Sequence, residues 1–374
     1  MNYPLLPYSQ LVFDMQKTNA EVYTSEQVVR LNKEDVDIPH LQHAIEQAIR
    51  NHPVFSMHVD EHGRQSYEHL SDIMHGQYHA VDIVAHDRFI DVHFKNNRIL
   101  GDGQSGILLI EDMIRAYNNL PLEPDNYLNY LEYMEQTKQS MRYEQDRLWL
   151  EAEYGHLSCP VRPTTDAPID ITNTPTEGLL TEDYSALQPA LNLLMQEQLI
   201  PLSAFFSLAS ALAIMEYNGC DEAALTWAYE GRENKEEQHI YGSLHRDIPF
   251  KISQKTTAVQ KKDLIRQARH QARQGIAHSS YPLTLTYPHS DIWNYALNVL
   301  VQPSVKEKMS DFPFPFELLE DEKTPRVAYS LLDVEIYEEP LTVLYRYSAT
   351  HYKEESIRRF AGLVRKYVEW LLES

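Results

Sequence analysis

Cysteine is scarce in this 374-residue sequence: Cys159 and Cys220 are the only two, far apart and without metal-ligand spacing. Neither a disulfide framework nor a zinc site is thereby suggested, and a reducing cytoplasm fits best. Basic charge is also short, with 33 Lys and Arg against 55 Asp and Glu and a formal net charge of -22. This argues against a general binder of nucleic acid or of an anionic membrane, because both present negative charge. An acidic partner would need a local basic face. Long apolar runs are missing too. Leu202 to Met215 is interrupted by Ser203, Ser207 and Ser210 and falls short of the roughly 20 residues a bilayer span requires, so it reads as a buried helix. Met1 to Gln10 lacks the basic-then-apolar pattern of a secretory signal.

What is present is a globular pattern, 43% apolar and long enough for two cores. Helical spacing of apolar residues predicts helices near 40–51, 105–118, 143–154, 202–217, 261–277 and 354–372. In the last, Ile357, Phe360, Ala361, Val364, Val368 and Leu371 form one stripe and Arg358, Arg359, Arg365 and Lys366 the other side, so it should pack flat on a sheet. Strands are predicted at 21–31, 54–60, 89–95, 223–229, 245–252, 283–287, 294–301, 327–336 and 341–348, with Glu338-Glu339-Pro340 as the turn between the last two. Cys159 to Glu177, rich in Pro, Thr and Asp, has neither period and reads as a crossover. The chain is accordingly divided near residue 165 into two α/β halves, 1–165 and 166–374.

The strand Arg88 to Lys95 runs into Asn96-Asn97-Arg98-Ile99-Leu100-Gly101-Asp102-Gly103-Gln104-Ser105, and a helix follows. This junction resembles the H-H-x-x-x-D-G motif of condensation domains of nonribosomal peptide synthesis and of related chloramphenicol-acetyltransferase-like enzymes. Alignment on Asp102, Gly103 and Ser105 places the two histidine positions on Asn97 and Arg98. Asp-Gly alone is a turn dipeptide, but other blocks follow in family order. Pro4-Leu5-Leu6-Pro7-Tyr8-Ser9-Gln10 resembles the opening P-L-S-P-A-Q, and Asn51-His52-Pro53-Val54-Phe55 the H-P-x-L-R block. Tyr143 to Leu150 is similar to the Y-W-x-x-x-L helix, with Pro163-Thr164-Thr165-Asp166 beyond it. Gly231-Arg232 matches the family's G-R. Gly242 to Lys251 matches G-x-x-x-N-T-L-P-L-R, with Arg246-Asp247 where the family has Asn-Thr. Leu331 to Leu372 follows the closing hairpin and helix.

The resemblance implies an α/β fold of two acetyltransferase-like halves forming a V-shaped pseudo-dimer around a central tunnel. Carrier proteins would deliver acyl groups there on phosphopantetheine arms, with no bound cofactor and no metal. It also implies that Gln104, Ser105, Arg246 and Asp247 line the tunnel, that Asp102 anchors the loop through a structural ion pair, and that Gly103 permits close approach or positive φ.

A neutral imidazole accepts a proton near neutral pH. A guanidinium, with a pKa above about 12, only donates, so Arg98 can stabilise an oxyanion but cannot deprotonate an amine; nor can the amide of Asn97. Condensation chemistry is therefore expected to be impaired. Arg98 is expected to neutralise the site, its guanidinium pairing with nearby Asp102.

Among alternatives, His93 shares a strand face with Asp91 and Lys95 and reads as a satisfied polar residue. His75 and His79, four apart, would share a helical face but lack further ligands. Lys255, Lys261, Lys262, Arg266, Arg269 and Arg273 face only Asp263 between Ser253 and Gly275. They form either a solvated helix face or a landing surface for an acidic carrier protein, for which Lys261, Lys262, Arg266 and Arg269 are the candidates. The reading that follows is a catalytically impaired condensation-like domain that docks carrier proteins or other synthetase domains, cytoplasmic, with no nucleic-acid or membrane partner. An acyl or aminoacyl transferase with an altered mechanism and an assembly protein with a blocked tunnel are the alternatives.

Overall fold

The computed structural model describes every residue except 1, 18–23, 69, 170–175, 255–259, 290–295, 303–315, 320–330 and 374. Two compact units emerge. Unit one takes the described residues of Met1–Gln136, Glu230–His245 and Pro303–Thr324, and unit two those of Thr137–Tyr229, Arg246–Gln302 and Pro325–Ser374. A single boundary near residue 165 thus differs from this division, because pairing and burial rather than chain order assign the segments. The strand Phe316–Leu319 pairs with Thr24–Asn32 of unit one, and Glu230–His245 is bonded by unit-one side chains described below.

Unit one begins with β1 (Tyr3–Pro4) and α1 (Pro7–Gln16), whose N-terminal proline is tolerated because the first helical N–H groups have no intrahelical partner anyway. Next come β2 (Thr24–Asn32), α2 (Ile38–Asn51), β3 (Met57–Val59), β4 (Arg64–Tyr67), β5 (His79–Ala85), β6 (Phe89–Asn97), α3 (Gly103–Tyr117) and α4 (Tyr127–Thr137), whose last residue is the first of unit two. Three strands form a small sheet, β1-β4-β3. A second, antiparallel sheet pairs Phe316–Leu319, β2, β6 and β5 in that order. In β6 the alternation works as the sequence requires: Ile90, Val92 and Phe94 are buried, while Asp91 on the opposite face takes a bidentate ion pair from Arg30 directly across on β2. His93 finds Glu26 at 2.9 Å. The helix α2 buries Leu41, Ala44, Ile45, Ala48 and Ile49 and lies beside α3.

Unit two contains α5 (Met141–Tyr154), β7 (Glu177–Asp183), α6 (Gln188–Gln198), α7 (Leu202–Asn218), β8 (Glu222–Tyr229), β9 (Arg246–Ser253), α8 (Lys261–Ala277), β10 (Asn298–Val301), β12 (Leu332–Glu338), β13 (Leu341–Ser348) and α9 (Glu354–Leu372), with β11 being the unit-one strand Phe316–Leu319. One mixed sheet runs β7-β13-β12-β10-β8-β9, with β10 parallel to both neighbours and the other pairs antiparallel. The turn at Glu339-Pro340 joins β12 to β13 as expected. Serine-interrupted α7 is buried without a break from Ser203 to Met215, so it is a core helix. The amphipathic α9 buries its predicted stripe, setting Phe360 edge-on to Tyr345 of the sheet and to Tyr217 of α7. Asp166, from the Pro-Thr-rich block, accepts from the Lys353 N–H and the Ser356 hydroxyl and so fastens the start of α9.

Residues 283–287 are not a strand. Leu283–His289 is a 3-10 turn in which Thr286 donates to the Leu283 carbonyl; Pro282 and Pro288 deprive that stretch of ladder donors. Residues 21–23, 294–295 and 327–330 of the predicted strands lie outside the described residues, as does Lys255.

Phe360→Ala removes a fully buried ring and is expected to cost about 3–5 kcal/mol. Arg359→Ala, on the outer side, is expected to cost under about 1 kcal/mol. Urea denaturation of the two variants would check the difference.

Candidate functional site

The strand-to-helix junction is built around one carboxylate. Asp102 is the N-cap of α3, and its Oδ1 accepts from the Ser105 N–H at 3.0 Å while its own N–H bonds the Ser105 hydroxyl at 3.2 Å, a reciprocal capping box. Its partner is Arg232. The guanidinium grips it with both terminal nitrogens, Nη1 to Oδ2 and Nη2 to Oδ1, each at 3.0 Å. The Leu244 and His245 N–H groups add bonds to Oδ2 at 3.0 and 3.2 Å. Arg232 also donates to the carbonyls of Ile240 and Gly242. Both side chains are buried, at 0% and 6% exposure. Burial alone would raise the Asp102 pKa, but the Arg232 guanidinium outweighs it and holds the carboxyl below its usual range.

This corrects the expectation that Arg98 pairs with Asp102: the arginine is Arg232, 130 positions along the chain. Oδ2 already takes three donors and Oδ1 two, with the one Ser105 hydroxyl proton shared between Oδ1 and the Gly242 carbonyl. A carboxylate offers about four lone-pair sites, so a second guanidinium has no place on it. The Arg98 side chain is half-buried, and its carbonyl accepts from Ser243. At the other histidine position, Asn97 is almost fully buried and serves the loop: its Oδ1 accepts from the Ile99 N–H at 3.0 Å and from Gln16 Nε2 at 2.6 Å. Ser9 of α1 donates to the Ile99 carbonyl.

The glycine constraint falls on other positions than Gly103, which is an exposed first residue of α3. A Cβ on Gly101 would lie 2.7 Å from both Ser105 and Tyr241. At Gly231, φ is +75° and a Cβ would meet the Leu244 carbonyl oxygen at 2.1 Å. Gln104 is half-buried in the first turn of α3, and Ser105 is fully buried, where it fastens the Gly242 backbone, Arg232 and Asp102.

Arg246 and Asp247 open β9 in unit two and line a small cavity with Trp149, His278, Ser279 and Tyr281. There Arg246 donates to Ser279 at 2.8 Å, and Trp149 stacks on His278, which sits 2.9 Å from Asp146. On α8, Lys261 reaches Glu373 and the Trp370 ring, Arg269 donates to the Gln198 carbonyl, and Arg266 pairs with Asp263 while staying exposed. His79 opens β5 and binds the Ile73 carbonyl, so it shares no helix with His75, which lies between Asp72 and Asp82. Among the described residues no group of three or more His, Cys, Asp or Glu could hold a metal. No single described helix is long and apolar enough to cross a membrane.

Two site residues escaped the sequence reading. Arg232 was only a landmark in it, although a Gly-Arg pair far from the motif is the signal for the Asp102 partner. His245 was passed over; its N–H is on Asp102, its ring meets Tyr8 edge-on with centroids 4.1 Å apart, and its Nδ1 is buried without a hydrogen-bond partner among the described residues.

A family model of the condensation domain matches residues 89–374. The chain belongs to the condensation-domain family. This condensation domain superposes on the epimerization domain from the third module of tyrocidine synthetase B with a TM-score of 0.79 at 16% identity, covering 99% of this chain and 97% of that one. The condensation domain from Monacolin K polyketide synthase gives 0.77 at 11% identity, with coverage of 100% and 97%. The starter condensation domain of rhizomide synthetase, in complex with C8-CoA, gives 0.76 at 15%, covering 100% and 94%. At these identities the structures establish the fold, a mixed α/β chain in two acetyltransferase-like halves. No curated protein sequence matches significantly.

Because the Asp102 pKa is lowered on folding, its contribution to stability is present above about pH 3.9 and lost as pH falls through the lower folded value. Asp102→Asn is therefore expected to destabilise by roughly 3–5 kcal/mol at pH 7, and the gap to wild type should narrow below about pH 4. Urea titrations at pH 7 and at pH 3 read both; an equal gap at the two would show that the charge is immaterial.

Proposed function

We propose that this chain is a condensation-like domain of nonribosomal peptide biosynthesis that has lost the usual amide-forming chemistry and acts by docking carrier proteins or other synthetase domains. The observation that carries this reading is the content of the two histidine positions. Asn97 spends its side-chain oxygen on the Ile99 N–H and on Gln16, and Arg98 is a guanidinium that cannot take a proton. Neither can act as the base that an attacking amine needs. The ligand to be accommodated is the acyl-bearing phosphopantetheine arm of a carrier.

Support for the docking surface comes from α8. Lys262, Arg266, Arg269 and Arg273 recur at helical spacing on one face of a chain whose net charge is -22. Lys261 and Arg269 are held by intramolecular contacts, which leaves exposed Lys262 and Arg273, with Arg266 exposed beside its partner Asp263, to meet an acidic carrier.

A second reading, an acyl or aminoacyl transferase of altered mechanism, draws on His245. Arg98 would stabilise the oxyanion, and the His245 imidazole, on the segment bonded to Asp102, would take the proton from the amine.

The two readings part in one experiment. Given a donor acyl-carrier and an acceptor aminoacyl-carrier, the purified protein is expected to form no amide above the uncatalysed background. It is expected to bind at least one acidic carrier with an affinity that weakens as salt rises. Charge reversal at Lys262 and Arg266 should weaken that binding more than Arg98→Ala does. Amide formation that disappears in Arg98→Ala or His245→Gln would overturn the docking reading in favour of the enzyme.

A further inference from the structure

We propose that His52, held between Asp112 and Asp125, is a positioning residue that sets the segment Ile240–His245 and, through it, the motif carboxylate Asp102. The inference is independent of whether the domain catalyses.

His52 ends α2 and is 2% exposed. Its Nδ1 lies 2.7 Å from Oδ2 of the fully buried Asp125, and its Nε2 lies 3.3 Å from Oδ2 of Asp112 on α3, close enough for an ion pair though poorly aligned for a hydrogen bond. The Tyr241 and Phe55 rings pack against the imidazole, and Asn51 donates to Asp112. A neutral imidazole has one N–H. If it faces Asp125, a lone pair is turned on Asp112; only the imidazolium sets a positive charge against both carboxylates.

Asp125 is where this charge meets the site. The same Oδ2 that faces His52 accepts the Tyr241 N–H at 3.0 Å, while Oδ1 accepts the Tyr127 N–H at 2.7 Å. One residue further, Gly242 bonds Ser105 through both its N–H and its carbonyl, and then Leu244 and His245 donate to Asp102. Loss of the His52 proton leaves two buried carboxylates with less than their compensation, at the point where the segment is pinned.

Burial by itself would lower the His52 pKa, but the two carboxylates outweigh it and the pKa is raised above 6.5. A raised folded pKa means that the stabilisation is complete below about pH 6.5 and fades as pH rises through the folded value. Asp112, 3.3 Å from the Nε2 of His52, ties the effect to that ring.

The test is amide hydrogen exchange of the full chain, corrected for intrinsic rates, at Tyr241, Gly242, Leu244 and His245 between pH 6 and 9, alongside NMR titration of the His52 ring. Protection in the wild type should drop by roughly tenfold or more as the ring titrates, tenfold corresponding to one pKa unit of coupling. His52→Gln should lower protection at pH 6 and abolish the step; Asp112→Asn should move both the ring titration and the step to lower pH. Protection that ignores the ring titration, or a step that stays in place in Asp112→Asn, would overturn the proposal. So would a loss in His52→Gln spread evenly over α2 and α3, which marks general destabilisation. If His52→Gln fails to fold, the wild type and Asp112→Asn decide the matter alone.

Discussion

Everything at the strand-to-helix junction depends on one buried ion pair. A carboxylate as little exposed as Asp102 is costly unless it is paired and fully hydrogen-bonded, and Arg232 with two backbone amides and Ser105 meets that requirement. The bidentate geometry also fixes direction, because a planar guanidinium matches a carboxylate in few orientations. Arg232 in turn holds the Ile240 and Gly242 carbonyls. A segment lying between β8 and β9 in the sequence is thereby folded into unit one, and Gly231 supplies the left-handed turn that lets the chain enter.

The same arrangement shapes the loop that carries Asn97 and Arg98 without drawing on a histidine at either position. None of the bonds that shape the loop needs an imidazole. The turn after β6 is closed by the Asn97 amide and the Ser9 hydroxyl, the helix start by Asp102 and Ser105, and the approach of Tyr241 by the lack of a side chain on Gly101. Scaffold and proton transfer are separate demands on this stretch of sequence, so one can be met without the other.

Legibility in the sequence followed the strength of the local pattern. All six helices read from spacing are present, and α9 matches residue for residue because a two-sided amphipathic stripe admits one helix face. The helix α4 was missed although Tyr127, Tyr130, Leu131 and Met134 recur at helical spacing; half its buried face is tyrosine, which reads as ambivalent in a hydropathy pattern. β5 was missed because Asp82 and His79 blunt its alternation, and β1 and β4 because strands of two and four residues carry almost no period. Within the site, Asp102 was legible as a structural anchor through the resemblance, which implies a structural ion pair for the motif aspartate. Its partner was not, because an ion pair spanning 130 positions leaves no local trace. Nearness of Arg98 to Asp102 in sequence is no guide to pairing in space, where Arg232 takes that place.

Two carboxylates, Asp102 and Asp125, hold the segment Ile240–His245, and the two grips weaken at opposite ends of the pH range. Asp102 is compensated by an arginine that stays charged at any accessible pH, so its grip fails only in acid, when the carboxylate itself takes a proton. Asp125 is compensated by a histidine, so its grip weakens in base, when the imidazolium gives its proton up. The segment is therefore fixed most firmly between those limits, with the acid edge below the ordinary aspartate range and the alkaline edge above the ordinary histidine range. An arginine in place of His52 would remove the alkaline edge but would need space for a longer side chain among Phe55, Tyr241 and two aspartates. A histidine in this place makes the grip on the segment respond to pH, where an arginine would hold its charge throughout.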